Sequence, residues 1–253
     1  MNFINTIKNF FINWFADIES SFIKTFIRED RWLQLLKGLG VTLQITIFAA
    51  LLGIIIGFII AAVRSTYDRN LADKKCRSFG DYLLKFFNAI CNIYLTVIRG
   101  TPVVIQLMII HFIVLASVRN GIYAAIFAFG INSGAYVAEI VRSGIMSIDK
   151  GQFEAGRSLG FNYLQTMWHI IIPQAFKNIL PALGNEFIVL IKETSVAGYV
   201  GVIDLTKAGN TIAGRTFSYF IPLISVAVIY LVVVIILTKL VSILERRLRN
   251  SDH

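Results

Sequence analysis

Charged residues are scarce in this sequence, and so are the residue types that metal and thiol sites need. Only 15% of the 253 residues are charged, whereas 56% are hydrophobic. The two cysteines are far apart and the three histidines are scattered, so we expect free thiols and no metal site. A soluble domain of this length could not bury so much apolar surface, and the composition therefore predicts an integral membrane protein.

Catalytic and nucleotide-binding motifs are also missing. The sequence contains no Gly-x-Ser-x-Gly, no His-Glu-x-x-His and no Gly-x-x-x-x-Gly-Lys-[Ser/Thr] phosphate loop. We therefore expect a chain that is not an enzyme, holds no cofactor and does not bind ATP itself. Its formal net charge of +9 comes from basic residues in short loops between apolar runs, which favours contact with anionic membrane lipid rather than nucleic acid.

Residues 1–37 carry aromatic and aliphatic side chains at steps of three and four, which predicts a helix with one wide apolar face. Charged residues interrupt this segment too often for a membrane span: Lys8, Asp17, Glu19 and Lys24. We therefore expect residues 1–37 to form an amphipathic segment that lies in the membrane interface.

The segment 38–63 has no charge and is long enough to cross the roughly 30 Å hydrocarbon core of a bilayer. Gly53 and Gly57 form a Gly-x-x-x-Gly pattern, which would let another helix approach closely. Basic residues follow in a predicted loop: Arg64, Arg69, Lys74, Lys75 and Arg77. The positive-inside rule places this loop in the cytoplasm, so the N-terminus is expected outside.

Further crossings are predicted along the rest of the chain. Segments 103–117 and 121–140 are apolar and are expected to run outward and back. Segment 178–203 holds charged residues and matches a span poorly. It is nevertheless expected to cross outward, because segment 216–238 must also cross and the basic cluster at 245–249, which follows it, should lie inside. The sequence predicts an all-α, polytopic membrane protein with about five transmembrane helices, its N-terminus out and its C-terminus in.

A polar stretch, residues 147–175, interrupts these apolar runs and is expected in the cytoplasm. Two residues with capping side chains are each followed three positions later by Gln, the spacing of a capping box: Asp149 with Gln152 and Asn162 with Gln165. Gly160 is expected to end the first helix, and Pro173 to bend or end the second. The pattern predicts a short helix, a tight glycine turn and a second helix, which suits docking against another protein.

The same stretch resembles the EAA loop of ABC-importer permeases. The matching residues are Glu154, Ala155, Gly156, Gly160, Ile170 and Pro173, which have the spacing of that loop. The similarity extends over about residues 85–215, with further matching segments at 99–106, 134–156, 170–188 and 190–195. These segments resemble the polar amino-acid branch of the family, whose substrates include histidine, glutamate, glutamine, arginine and opines.

The resemblance implies that residues 38–249 are the transmembrane domain of an alternating-access importer in the bacterial inner membrane. It implies that the loop forms a coupling helix, with contacts to a separate ATPase subunit made by Glu154, Ala155, Gly156 and Gly160. That ATPase partner would bind ATP and Mg²⁺. A second permease subunit, identical or related, would complete the pathway. An extracellular binding protein would deliver the substrate. Gly156 departs from the alanine usual in the family, and glycine costs up to about 1 kcal/mol in a helix interior.

Two acidic residues fall within the weakest predicted span. Glu186 lies beside Asn185, and Glu193 follows on nearly the same helical face. A charge within a membrane span is a functional hypothesis by default. Two interpretations stay open: these residues form a polar wall of the substrate pathway, or they make an ion pair or hydrogen bond that locks helices together.

Arg99 and Glu139 are the other charges inside apolar surroundings. Arg99 is interpreted as an anchor at the membrane surface or, alternatively, as a gate or ion-pair partner in the pathway. Glu139 is expected to pair with Arg142 on the same helical face and is not assigned to substrate binding.

Two other classes of function remain as alternatives. An ion-coupled secondary carrier would usually be longer and contain internal inverted repeats, which the sequence does not show. A membrane scaffold without transport would not need a docking hairpin. Co-purification with an ATPase separates both alternatives from an importer.

Overall fold

The computed structural model describes residues 18–72 and 75–250, and within those ranges the regular structure is entirely helical. The helices, in chain order, are α1 (Trp32–Asn70), α2 (Phe79–Gly100), α3 (Val103–Ile109), α4 (Gly121–Met146), α5 (Lys150–Ser158), α6 (Tyr163–Thr166), α7 (Ile172–Glu193), α8 (Leu205–Thr216) and α9 (Phe220–Asn250). The all-α class predicted from the sequence is confirmed.

Among the described residues, three helices are long and apolar enough to cross a membrane: Trp32–Arg69, Gly121–Met146 and Phe220–Leu248. A bent pair, Phe79–Gly100 with Val103–Val114, adds a fourth crossing if its two parts are one span, with an angle of 108° between them. Helix α7 has 22 residues, enough to cross, but is more polar than these helices. The polytopic architecture is thus confirmed, with α7 occupying the place of the span that is hard to see in the sequence.

Helices α1 and α4 pack along each other and form the centre of the bundle. A Cβ atom added at Gly53 would lie 3.1 Å from Ser133 Cβ, and one added at Gly57 would collide with the Val137 side chain. Only glycine therefore allows α4 to lie this close. The close approach predicted from the Gly-x-x-x-Gly pattern is confirmed.

Helix α1 is longer than its uncharged run. The sequence placed Arg64 and Arg69 in a loop, but both lie inside α1, and that prediction was wrong. Arg64 pairs with Glu139 at 2.7 Å, and Arg69 donates a hydrogen bond to the Ile145 carbonyl at 2.6 Å. Because these partners on α4 compensate the charges, the helix continues beyond the apolar segment.

Helix α2 ends at the Thr101-Pro102 step. Pro102 has no N–H to donate to the Ile98 carbonyl, so the helical hydrogen bond at that position is lost. The Gln106 side chain replaces it, with Nε2 donating to Ile98 O at 2.7 Å and to Thr101 O at 3.1 Å. The chain then turns into α3 and a π-helical turn, Ile110–Val114.

The polar hairpin continues directly into α7. Pro173 was expected to bend or end the second helix, but it does not end it, because a π-helical turn at Met167–Ile171 joins α6 to α7. Pro173 lies in the first turn of α7, where its missing N–H costs little, and the wider π turn precedes it.

Beyond α7 the chain makes a tight turn before its last membrane helix. A 3₁₀ segment, Thr194–Val200, leads to Gly201, whose φ of 79° lies in the left-handed region. Asp204 caps α8 by accepting hydrogen bonds from the backbone N–H groups of Thr206 and Lys207 at 3.0 and 3.1 Å. Helix α8 then packs against α1 and α9.

Residues 1–17 lie outside the described residues, so nearly half of the amphipathic segment predicted for 1–37 is not tested. Residues 18–22 are helical, and a π turn, Ile23–Ile27, and a 3₁₀ turn, Arg28–Asp30, follow. Glu29 and Asp30 have φ angles of 58° and 48°, which separates this stretch from α1. Helix α1 begins at Trp32, inside the range assigned to the interfacial segment.

Candidate functional site

The first half of the polar hairpin is α5. The Asp149 carboxylate accepts a hydrogen bond from Gly151 N at 2.6 Å, so the predicted cap is confirmed. Gln152 does not complete a capping box, because its Oε1 atom instead accepts a hydrogen bond from Gln174 Nε2 at 3.3 Å. That contact ties the start of α5 to α7. The helix ends at Gly160, whose φ of +82° favours glycine, as predicted.

The second half begins with a complete capping box. Asn162 Oδ1 accepts a hydrogen bond from Gln165 N at 2.9 Å, and Gln165 Oε1 accepts one from Asn162 N at 2.9 Å. The two halves of the hairpin are therefore fixed by local hydrogen bonds, and a rigid element results.

The residues of the Glu-Ala-Gly motif point in different directions. Glu154 and Ala155 are exposed, whereas Gly156 is buried. A Cβ atom added at Gly156 would lie 2.7 Å from Thr166 Cγ2 and 3.2 Å from Ile170 Cδ1. The small residue at position 156 thus serves the packing between the halves of the hairpin, and the surface available to a partner is that of Glu154 and Ala155.

Apolar side chains extend this exposed surface. Leu159 and Leu164, on either side of the Gly160 turn, are 72% and 75% exposed. Because both lie on an element rich in polar residues, their exposure at the hairpin tip marks a surface suited to contact with another molecule.

The hairpin is anchored to the ends of α1 and α4. The guanidinium of Arg69 lies 3.9 Å above the ring of Phe153, and the same side chain donates its hydrogen bond to Ile145 O. Phe153 in turn stacks on Tyr163 across the hairpin, with ring centroids 6.3 Å apart. A displacement of the hairpin would therefore act directly on α1 and α4.

Glu186 lies between α4 and α7. Its Oε1 atom accepts a hydrogen bond of 2.8 Å from the hydroxyl of Ser133, a buried residue of α4. Glu193 lies partly buried at the end of the same helix, whereas Asn185 is exposed. The structure thus brings Glu186 to a polar partner across a helix interface and does not bring Asn185 to it.

Five charged side chains form a network in the half of the bundle nearer the hairpin. Glu139 pairs with Arg64 at 2.7 Å, with Arg142 at 3.2 Å and more loosely with Arg99 at 4.0 Å. Arg142 also pairs with Asp68 at 3.0 Å. The predicted pairing of Glu139 with Arg142 is confirmed, and Arg99 has an acidic partner rather than serving only as a surface anchor.

Two cavities flank Glu139, one with a mainly polar lining and one with a mixed lining. One, of about 450 Å³, is lined by residues that include Arg64, Thr96 and Arg99. The other, of about 530 Å³, is lined by residues that include Ser143 and Asn178. Both have Glu139 in their wall, so this carboxylate can be reached from either cavity.

A comparison with protein families identifies the chain. Residues 80–250 match the family model described as "Binding-protein-dependent transport system inner membrane component". The chain belongs to this family. The matched region includes the hairpin, Glu186 and three residues of the charged network, Arg99, Glu139 and Arg142. The two network residues on α1, Arg64 and Asp68, lie outside it.

Relatives within the family carry more specific names. The arginine transport system permease protein ArtQ of Bacillus subtilis is 38% identical over 221 residues, which cover 86% of this chain and 94% of ArtQ. The glutamine transport system permease protein GlnP of Escherichia coli K12 is 34% identical over 219 residues, covering 85% of this chain and 93% of GlnP.

Solved structures of transporters have the same fold. A crystal structure of an amino acid ABC transporter with histidines matches with a TM-score of 0.74 and 39% identity, covering 85% of this chain and 94% of that chain. An inward-facing MetNI methionine ABC transporter matches with a TM-score of 0.68, covering 88% of this chain and 98% of that chain. At 23% identity the second match shows the fold alone.

Sequence reasoning missed several partners of the site. Ser133 was not singled out, because a lone serine in an apolar helix carries no signal of its own. The pairing of Asp68 with Arg142 joins α1 to α4 across 74 residues, and only the fold brings the two together.

Proposed function

We propose that this chain is the permease subunit of an ATP-driven importer for polar amino acids. The observation that carries the proposal is the hairpin, a rigid element with an exposed Glu154–Ala155 surface and two exposed leucines, anchored to the membrane helices through Arg69. Such an element transmits movement between membrane helices and a partner. The names of the relatives, arginine and glutamine permeases, support an amino acid as the substrate.

An importer of this kind needs partner subunits for ATP hydrolysis and for substrate delivery. Because the sequence has no phosphate loop, ATP and Mg²⁺ would be bound by separate ATPase subunits that dock on the hairpin. A second permease subunit, identical or related, completes the pathway, and an extracellular binding protein delivers the amino acid. The family description as an inner membrane component supports a bacterial inner membrane location, with the N-terminus outside and the C-terminus inside.

The pathway runs between α4 and α7 in this proposal. Glu186 and Glu193, on the same helix, supply negative charge to the ammonium group that every free amino acid carries, and Asn185 adds a neutral polar group on the exposed side of that helix. The hydrogen bond from Ser133 holds the Glu186 carboxylate in one orientation. A charge held in a low-dielectric passage acts more strongly than one at a surface, although desolvation offsets part of the gain.

Reconstitution tests the function. The chain is co-expressed with candidate ATPase and binding-protein chains from the same genome. The complex is purified through a tag on this chain and placed in liposomes. We expect the ATPase to co-purify, and labelled L-arginine or L-glutamine to accumulate only with ATP and binding protein. Accumulation that follows an imposed proton or sodium gradient without ATP would instead support a secondary carrier, and no uptake of any amino acid would support a scaffold.

A further inference from the structure

Helix α4 carries a stripe of polar residues that runs from Glu186 toward the hairpin. The stripe consists of Ser133, Tyr136, Glu139, Ser143 and Ser147, at steps of three and four residues. Ser133 bonds to Glu186, and Ser147 accepts a hydrogen bond from Asn178 at 3.1 Å. At about 1.5 Å per residue, Glu139 lies about 9 Å farther along α4 than Ser133. The stripe therefore continues beyond Glu186 to a second group of charges.

The cavity of about 450 Å³ lies at this second group. Its size falls in the range of about 300–1,000 Å³ that is typical of small-molecule sites. Asn92, Thr96 and Arg99 contribute polar groups from the end of α2, and Tyr136 and Glu139 contribute them from α4. Donors and acceptors from two helices thus converge on one space.

The charges around this cavity do not balance. The linked network contains three guanidinium groups, those of Arg64, Arg99 and Arg142, and two carboxylates, those of Glu139 and Asp68. Arg64 and Arg142 make close pairs, whereas Arg99 approaches Glu139 only to 4.0 Å and has a side chain 46% exposed. Its guanidinium also lies 5.6 Å from the ring centroid of Tyr136. One positive charge, on Arg99, is therefore available to an anion.

We propose that this cavity is a second binding site on the amino-acid pathway, in which Arg99 binds the α-carboxylate and Glu139 faces the ammonium group. This inference rests on the proposed function and extends it. Glu186 would attract the cationic end of the amino acid first, and the site at Arg99 and Glu139 would then receive the whole zwitterion nearer the hairpin. A guanidinium matches a carboxylate with two parallel hydrogen bonds, which a lysine cannot supply.

The surroundings favour an amino acid over the phosphate of a lipid. A lipid headgroup site needs an apolar groove for the acyl chains beside it. The large apolar cavity of this protein, about 650 Å³, lies between α1, α4 and the start of α7 and shares no lining residue with the cavity at Arg99. The neighbouring cavity that does share Glu139 has a mixed lining, in which Ser143, Ser147 and Asn178 lie beside the apolar side chains of Ile140 and Ala182.

Thiol chemistry in the cavity provides the test. Thr96→Cys is introduced into the full chain lacking Cys76 and Cys91, and the complex with its ATPase is placed in nanodiscs. The rates of modification by the anionic reagent sulfonatoethyl methanethiosulfonate and the cationic reagent trimethylammonioethyl methanethiosulfonate are compared. We expect the anionic reagent to be favoured, and Arg99→Gln to lower the ratio of the two rates by about tenfold. Arg99→Lys should keep the ratio, and Arg119→Gln, which removes an exposed charge outside the cavity, should not change it.

Protection by ligands tests the carboxylate directly. L-arginine or L-glutamine should slow the modification, whereas the carboxamides L-argininamide and L-glutaminamide should protect about tenfold less well. In Arg99→Gln the acid and its amide should protect alike. Equal protection by acid and amide in the wild-type cavity would overturn the proposal, and so would no protection by an amino acid that the liposomes take up.

Lipid and functional controls keep the outcomes distinct. Protection that depends on phosphatidylglycerol in the nanodisc, and disappears in phosphatidylcholine, would overturn the proposal in favour of a lipid headgroup. If liposomes take up no amino acid, the proposed function fails by itself. The ratio of reagent rates still decides in that case whether the cavity attracts anions.

Discussion

Glu186 is a carboxylate held by one hydrogen bond between two helices, and its charge is what the pathway hypothesis requires. Glu186→Gln keeps the shape and the hydrogen bond to Ser133 while it removes the charge. We expect uptake per assembled complex to fall by about tenfold or more, with a larger loss for arginine than for glutamine, because arginine carries a second cation. Basal ATP hydrolysis should stay near the wild-type rate.

The helix-lock hypothesis for Glu186 makes a different prediction, and Ser133→Ala separates the two. If the pair only holds α4 to α7, Ser133→Ala, which removes the hydrogen bond, should lower the melting temperature of the complex, whereas Glu186→Gln, which keeps it, should change the melting temperature little. Uptake per folded complex should then stay unchanged in both variants. Measuring uptake in liposomes beside a melting curve distinguishes these results. Unchanged uptake per complex in Glu186→Gln would remove Glu186 from the pathway.

Gly156 shows why this chain departs from the alanine usual at that position. We expect Gly156→Ala to destabilise the hairpin by about 1–3 kcal/mol, because the new methyl group would meet Thr166. Thr166→Ala removes both contacting atoms of that side chain, so the double variant should recover most of the loss. The amount of ATPase that co-purifies with the permease measures the effect. A single Gly156→Ala variant that assembles as well as the wild type would contradict this packing.

At the scale of elements, the contact between Arg69 and the hairpin is the mechanical link. Arg69→Met keeps the length of the side chain but removes the hydrogen bond to Ile145 O and the charge above Phe153. We expect the complex to assemble and to hydrolyse ATP at its basal rate, while stimulation by binding protein and amino acid falls several-fold, since the hairpin no longer moves with α1. Arg77→Met changes an exposed arginine just before α2 and serves as the matched control. Equal stimulation in the Arg69 and Arg77 variants would show that this link is not needed.

Local signals made the hairpin predictable. Asp149, Asn162 with Gln165, and Gly160 each act within a few residues, so their roles follow from the sequence. Arg64 and Arg69 could not be placed correctly, because the partners that keep them inside α1 lie on α4, more than 70 residues away. Pro173 was misjudged for a similar reason, since a π turn and the packing of α7 keep the chain helical there.

For the whole molecule, the distribution of basic residues predicts the orientation in the membrane. The test uses single-cysteine variants of a chain that lacks Cys76 and Cys91. Each cysteine replaces one exposed residue: Lys75 between α1 and α2, Arg119 before α4, or Arg247 near the end of α9. An impermeant thiol reagent added to intact cells should label the site at 119, and label those at 75 and 247 only after permeabilisation. Labelling at 75 or 247 in intact cells, without labelling at 119, would contradict the proposed topology.

The fold class and family were accessible from composition and motif spacing, whereas the polar interior of the bundle was not. Glu139 was predicted to pair with Arg142, but its contacts with Arg64 and Arg99 come from helices that the sequence does not show to be neighbours. Of the two cavities at Glu139, one arises between α1, α2 and α4 and the other between α4 and α7. Sites formed by distant segments of a chain are visible only after the chain is folded.

The central claim is that ATP hydrolysis by a separate subunit drives amino acids through this chain by way of the hairpin. The most direct measurement compares uptake and ATP hydrolysis on the same liposomes for the wild type, Glu154→Lys and Glu245→Lys, which reverses an exposed charge on α9. In Glu154→Lys the reversed charge lies on the exposed face of α5. We therefore expect amino-acid uptake and the ATP hydrolysis stimulated by substrate to fall together by about tenfold or more, with the permease still inserted and dimeric. Glu245→Lys should behave as the wild type. Undiminished uptake and stimulated hydrolysis in Glu154→Lys would contradict the claim.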